Sequence, residues 1–315
     1  MAYEELNFIV SKDLKGKRLD QVLAILCPQH SRSRLQAWIR LGFILVNNKL
    51  PRQRDILDGG ENIKIIAELA SPESAPIPES LPLNIIYCDD DIVILDKPDG
   101  LVVHPGAGNQ SHTLLNALLY HVPNLEMVPR AGIVQRLDKD TSGLMVIART
   151  PTSHTQLVRQ LQKREIKREY QAIISGVPTA GGTVTAPIGR HPLKRKRMAV
   201  VETGKSATTH FQIIQKFRAH THVRVQLESG RTHQIRVHMA YKKYPIVGDP
   251  VYGGRQRLPK NATESLRNLL QSFPRQALHA SKLEFTHPIK KTPMIFESTL
   301  PDDIKGLLIS LADND

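Results

Sequence analysis

Cysteine is nearly absent from this chain: 315 residues include only Cys27 and Cys88, far apart and without a CxxC partner. That excludes a disulfide framework and a cysteine-built structural zinc site, and a reducing cytoplasm is the expected compartment. Long apolar runs are missing too. None approaches the ~18 residues that would span a bilayer, so no membrane partner is expected. The N-terminal MAYEELNFIVSKDLKGKR has no basic start followed by an apolar core and a small-residue cleavage site, which argues against a secretion signal. The sequence contains neither an internal repeat nor a GxxxxGKS/T or GxGxxG motif, so neither a repeat architecture nor a phosphate-cradling loop is expected. Negative charge is the last shortage. Thirty Asp and Glu stand against 43 Lys and Arg, a formal net charge of +13, and this surplus favours a polyanionic partner, nucleic acid above all.

What is present suffices for two folded units. Hydrophobic residues make up 40% of the chain, enough for a real core, and the length favours two domains over one. The stretch ASPESAPIPESLP, Ala70 to Pro82, has four prolines and three serines and reads as an extended linker. The expected division is a domain over 1–70, a linker over 71–82 and a larger domain over 83–315. In the first, Leu19, Val22, Leu23 and Leu26 fall at i, i+3, i+4, i+7 on one helix face. A second helix carries Leu35, Trp38 and Ile39, with Ser33 as a candidate cap and Gly42 placed to end it. Two short strands follow, 43–46 and 62–67, the first closing on Asn47-Asn48. Arg18, Arg32, Arg34, Lys49, Arg52 and Arg54 cluster around the helix starts and the loop, where cations suit phosphate contacts; a solvated face is the plain alternative.

After the linker, strand patterns dominate at 84–98, 143–150, 168–176, 207–217 and 221–230. Helical patterns interrupt them at 112–122 and 152–166, the latter with Thr152 or Ser153 as a possible cap. Strands without regular strand-helix alternation predict an α+β domain on a mixed, mostly antiparallel sheet.

The stretch QRLDKDTSG, 135–143, concentrates chemistry. Ile133 and Val134 read as a strand leading in, Leu144 to Ala148 as one leading out, with Gly143 allowing the reversal. In extended chain Arg136 and Asp138 share one face while Gln135 and Leu137 take the other. Asp140, Thr141 and Ser142 are ordinary turn residues. Asp138 precedes the turn beside a cation on its own face, which a turn role explains less well. From spacing alone it remains either a cap or a catalyst.

This segment resembles the HRLDxxTSG motif of the RluA-type pseudouridine synthases. GLVVHPGAGN at 100–109, REY at 168–170, HPLKRKRM at 191–198, GRTHQIRVHM and VGDPVYGG resemble further family motifs in the same order, and RLDQVL with SRSRLQAWIRLGFILVNN resembles the small S4-like RNA-binding module. The resemblance covers nearly the whole chain. It implies a pseudouridine synthase fold behind an S4-like α/β domain, no cofactor, no metal, and 23S rRNA or a large-subunit precursor as partner, acted on by a monomer. It implies Asp138 as the catalytic carboxylate, Arg231 as its ion-pair partner, Tyr170 as the ring against the extruded uracil that removes the C5 proton, and Arg136 as the residue that enters the RNA stack. Gln135 stands where the family usually has histidine. Both can donate and accept a hydrogen bond, so a structural role can survive, but a proton-transfer role cannot.

The run Lys194, Arg195, Lys196 and Arg197, with Arg190 before it, is expected to meet RNA backbone together with Arg18, Arg32, Arg34 and Arg52; the bland reading of such a run is a solvated loop. The histidines at 220, 222, 233 and 238 lack carboxylate or cysteine company at ligand spacing, so no metal site is expected. Two rival functions remain. DKD at 138–140 superficially matches an aspartyl-phosphate loop, but the strand before it is short and holds Gln135 and Arg136. A non-catalytic ribosome assembly factor would need the same basic surface.

Overall fold

The spacing of Leu19, Val22 and Leu23 does build a helix, α1 (Leu19–Leu26), with these three side chains buried and Leu26 at the rim. A computed structural model describes residues 3–28, 30, 32–68, 76–106, 108–195, 197–254 and 258–315. The chain divides into two units, Met1–Ala75 and Pro76–Asp315.

In the first unit β1 (Tyr3–Ile9), α1, α2 (Arg32–Leu41), β2 (Ile44–Val46) and β3 (Asn62–Glu68) follow in order, and the antiparallel sheet runs β1-β3-β2. Leu35, Trp38 and Ile39 of α2 pack with Ile44, Ile63 and Ile65 of the sheet. Gly42 has φ +79°, the left-handed residue expected to end α2, and Asn47 and Asn48 turn the chain at φ 49° and 62°. Ser33 lies inside α2 rather than before it, so it is not the cap; its side chain, like that of Arg32, is outside the described residues. Strand β1 was not legible in the sequence.

The second unit is built on a nine-stranded sheet. In chain order its elements are β4 (Asn84–Cys88), β5 (Ile92–Lys97), α3 (Leu114–His121), β6 (Ser142–Ala148), α4 (Pro151–Gln162), β7 (Lys167–Ser175), β8 (Gly182–Thr185), β9 (Ile188–Arg190), β10 (Met198–Val200), β11 (Thr208–Lys216), β12 (His220–Leu227), α5 (Gln234–Tyr241), α6 (Glu264–Ser272), β13 (Leu278–Thr286), β14 (Pro293–Glu297) and α7 (Asp302–Ala312). The sheet order is β4-β5-β6-β13-β7-β12-β11-β8, with β14 on β13; β9 and β10 form a separate hairpin. Every pairing is antiparallel except β6 with β13, where His279 faces Ser142 and Ala280 faces Gly143. The α+β, mostly antiparallel expectation therefore describes this unit.

Local chemistry sets several boundaries. Thr150, not Thr152 or Ser153, caps α4: its hydroxyl accepts from the Ser153 amide, and Pro151 takes the first helical position, where no amide is needed. Residues 77–81, expected as linker, lie against α3. Asn116 Nδ2 donates to Ile77 O at 2.8 Å and the Glu79 amide donates to Asn116 O at 3.0 Å. Gly143 does not make the reversal. It sits inside β6 at φ +118°, where a Cβ would lie 2.3 Å from Ala280 O, so its glycine serves the close approach of β13. The chain turns instead at Lys139–Asp140, closed by the Thr141 amide on Asp138 O at 3.1 Å.

Candidate active site

The alternation read from QRLD holds. Gln135 and Leu137 are buried, Arg136 is exposed, and Asp138 faces an open cleft of 560 Å³. The turn behind Asp138 is held through two backbone carbonyls and one hydroxyl. The fully buried Lys97, at the end of β5, donates from Nζ to Lys139 O at 2.9 Å as well as to Pro98 O and Leu101 O. Arg275 Nη1 reaches Asp140 O at 3.2 Å and Gln276 Nε2 reaches Thr141 Oγ1 at 3.0 Å. Burial pushes the Lys97 ammonium down to about 8, against the pull of Asp99, Asp140 and Asp138. Three buried donors thus fix the loop that presents one carboxylate.

The cation on that carboxylate is Arg236, not Arg231. Arg236 Nη1 donates to Asp138 Oδ2 at 2.8 Å, while its Nε and Nη2 grip Asp249 at 2.7 and 2.9 Å. Arg231 precedes α5, and its Nε donates to Ser206 O at 3.2 Å. Arg236 lies on the inward face of α5 at 6% side-chain exposure, whereas Arg231, before the helix begins, stands exposed at the cleft rim. Burial opposes the Arg236 charge, yet the hydrogen bonds and charges of Asp249 and Asp138 raise its pKa above the ordinary value. Asp249 is itself fully buried and accepts the amides of Val251 and Tyr252, so the VGDPVY segment acts as the fixed end of the clamp.

His233 adds a second neighbour, its Nε2 3.9 Å from Asp138 Oδ1. Its Nδ1 shares a 2.8 Å hydrogen bond with Tyr252 Oη, which also accepts the Met198 amide. Burial lowers the His233 pKa; Asp138 works against that shift and Arg236 with it. The backbone of His233 is left-handed, φ 56°, which turns the chain into α5.

Tyr170 lines the same cleft from β7 and is buried. Burial raises its phenol above the ordinary value, Arg168 opposes that, and Asp138 adds to it. Arg168, in the REY stretch but not singled out from it, also lines the cleft, and a Cβ on Gly230 would sit 2.9 Å from its Nη1. His104 also lines the cleft, pushed down to about 4 by burial and by Arg130 and Arg136. Arg136 reaches across the rim to Thr232 Oγ1 at 3.2 Å. Gln135 is buried, and its Oε1 meets no partner among the described residues.

The remaining sequence candidates scatter. Arg18 makes two 3.1 Å bonds to Asp20, Arg34 lies over the Trp38 ring at 5.4 Å, and Arg52 is exposed. Arg190, Lys194 and Arg195 are exposed around the β9–β10 hairpin, Arg197 is half-buried, and Lys196 lies outside the described residues. Of the four histidines, His222 bonds Gln171, His233 bonds Tyr252, His238 bonds Thr209 and Ala186 O, and His220 is buried with neither nitrogen paired among the described residues. Lys97, Arg236, Asp249, Arg275 and Gln276 were missed. For Arg236 and Asp249 the signal was there, since both lie in the motifs quoted; a pairing 98 residues from Asp138 was what the sequence could not assign.

Residues 91–241 match the family model of RNA pseudouridylate synthases. The chain is 55% identical over 296 residues to ribosomal large subunit pseudouridine synthase D of Pseudomonas aeruginosa, covering 94% of this chain and 92% of that one. To the protein of that name in Escherichia coli K12 it is 52% identical over 305 residues, with 96% and 93% covered. Among solved structures, human RNA pseudouridylate synthase domain containing 4 superposes with a TM-score of 0.57 at 26% identity, covering 73% of this chain and 93% of that one.

Proposed function

Because this chain belongs to the RNA pseudouridylate synthase family, we propose that it converts specific uridines of 23S ribosomal RNA to pseudouridine, with Asp138 as the catalytic carboxylate. The observation that carries the residue assignment is the clamp: an open-cleft carboxylate bonded at 2.8 Å by a buried arginine that a second, fully buried carboxylate holds from behind. Such an arrangement fixes one oxygen and leaves the other for substrate. The isomerisation breaks the N1–C1′ bond of uridine, turns the uracil, forms C5–C1′, and moves the C5 proton away while N1 gains one. A carboxylate at C1′ can stabilise the positive charge of the breaking bond or attack covalently. Water must be excluded while the base is detached.

Tyr170 is assigned to the uracil face and to removal of the C5 proton. Its burial disfavours a standing phenolate, so this role requires transfer concerted with rearomatisation, aided by Arg168. Arg136, exposed at the rim, takes the place of the extruded base. The first unit, with its helix, helix and sheet order, acts as an S4-like RNA-binding module, and the exposed Arg52 and the β9–β10 hairpin cations meet backbone phosphate.

The test is to incubate the protein with a 23S rRNA transcript and map pseudouridine. Wild type should convert discrete uridines. Asp138→Asn, which keeps shape and removes charge, should bind the transcript with similar affinity and convert none. Turnover by that variant would remove Asp138 from the centre of the mechanism, and binding without conversion by the wild type would favour an assembly factor.

A further inference from the structure

A second groove, of 390 Å³, runs beside the active cleft and shares Arg136, Gly230, Arg231 and Thr232 with it. Its far wall is the β9–β10 hairpin and the turn after it, including Arg190 and Lys205. Four cations line this groove, Arg136, Arg190, Lys205 and Arg231, and no carboxylate does. All four are exposed. Like charges so gathered repel one another, and no carboxylate lining the groove offsets that repulsion.

Their donors are mostly unspent among the described residues. Arg231 commits only Nε, to Ser206 O, and its two terminal nitrogens meet no acceptor among the described residues. Lys205 Nζ meets none either, while Arg190 and Arg136 each donate once, to Arg195 O and Thr232 Oγ1. Arg231, released from Asp138 by Arg236, is thus a free two-pronged donor on the ridge between the two cavities. The opposite wall is fixed. A Cβ on Gly204 would lie 2.6 Å from the Ile188 carbonyl carbon, so the turn and the hairpin are locked in contact.

We propose that this groove is a subsite for the nucleotide next to the target uridine, with Arg231 and Lys205 binding its phosphate. The inference rests on the RNA-modifying reading of the neighbouring cleft. Its volume falls within the ~300–1,000 Å³ of pockets that enclose single small ligands, which suits one splayed nucleotide of an RNA loop and not a duplex. The guanidinium of Arg231 matches phosphate in two-pronged geometry, and Lys205 supplies a point charge. Arg231 is then a binding residue: it holds the flanking phosphate from the groove side, while Arg236 holds Asp138.

The experiment uses the full chain and a synthetic rRNA hairpin that the wild type modifies, with neutral methylphosphonates replacing the flanking phosphates one at a time. At one flanking position the wild type should lose affinity by at least about tenfold. Arg231→Gln and Lys205→Gln should show a comparable loss with the unmodified hairpin, and the methylphosphonate at that position should then add less than about twofold, the mark of a shared contact. Each variant should lower the slope of log K against log salt by about 0.7. The loss should fall on KM and not on the single-turnover rate at saturating RNA. Fully additive effects of variant and methylphosphonate at every flanking position would overturn the subsite, as would a loss confined to the single-turnover rate. Failure of the wild type to make pseudouridine in any large-subunit rRNA hairpin would instead overturn the reaction on which the subsite rests.

Discussion

Asp138 is useful because its surroundings are unequal: Arg236 takes Oδ2 at 2.8 Å, and among the described residues the nearest charged partner of Oδ1 is His233, at 3.9 Å. Arg236 in turn makes three charged hydrogen bonds with one planar group, a geometry that a lysine cannot copy. Arg236→Lys should therefore lower the single-turnover rate by at least ~10²-fold at saturating RNA, because the carboxylate loses its fixed orientation. A rate within about threefold of wild type would show that the clamp does not serve the chemistry. Tyr170→Phe separates ring from hydroxyl. Flipping and glycosidic cleavage should survive, while release of C5 tritium from labelled uridine should slow by at least ~10²-fold. Tritium release at the wild-type rate would assign proton removal to another group and leave Tyr170 as a packed ring.

At the scale of elements, the site depends on a contact between strands distant in sequence. β6 delivers the residues after the Asp138 turn, and β13 runs parallel beside it from Leu278 onward. At Gly143 the two backbones approach so closely that a methyl group would meet the backbone nitrogen, Cα and oxygen of Ala280 at 2.5, 2.7 and 2.3 Å. No flexible side chain can yield there, and φ +118° strains any L-residue. Gly143→Ala is expected to cost at least ~2 kcal/mol by denaturant unfolding and to displace the loop enough to reduce turnover. A change below ~0.5 kcal/mol would mean the strands can part at little cost. A different clasp holds the other end of the sheet: Asp89, in the β4–β5 turn, accepts His287 Nε2 at 3.0 Å and Lys290 Nζ at 2.8 Å from the β13–β14 connection.

Across the whole molecule, several imidazoles are kept neutral by burial. His220 is fully buried with neither nitrogen paired among the described residues, and it is pushed down to about 4; His104 and His222 move in the same direction, to about the same value. Between about 4 and the ordinary 6.5 the unfolded chain takes up protons that the folded chain refuses. Stability from this source is therefore complete above about 6.5 and is lost as pH falls toward 4. His220 alone should contribute on the order of 1 kcal/mol per pH unit in that window. Thermal unfolding between pH 7 and pH 4.5 should show a steeper fall for the wild type than for His220→Gln. Equal slopes would show that His220 is not protonated on unfolding in this range.

The sequence by itself determined the features that depend on near neighbours. Periodicity placed α1, α2, α3 and α4, the turn at Asn47-Asn48 and the two-residue alternation that buries Gln135 and Leu137 while exposing Arg136 and turning Asp138 to the cleft. The α+β sheet and the cationic balance were legible for the same reason, since each is a sum over local residue types. β13 was not, because it is buried on both faces and carries His279 and Ser281 at inward positions, where the Ser142 hydroxyl and the backbone of Glu169 satisfy them. Only the tertiary structure decided which arginine holds Asp138. Arg231 and Arg236 lie five residues apart in one motif, and the choice between them turns on which one the start of α5 carries inward toward a carboxylate 98 residues away. Lys97 and Arg275 follow the same logic: each also bonds carbonyls close to it in sequence, but the carbonyls of Lys139 and Asp140 reach them only when the sheet closes.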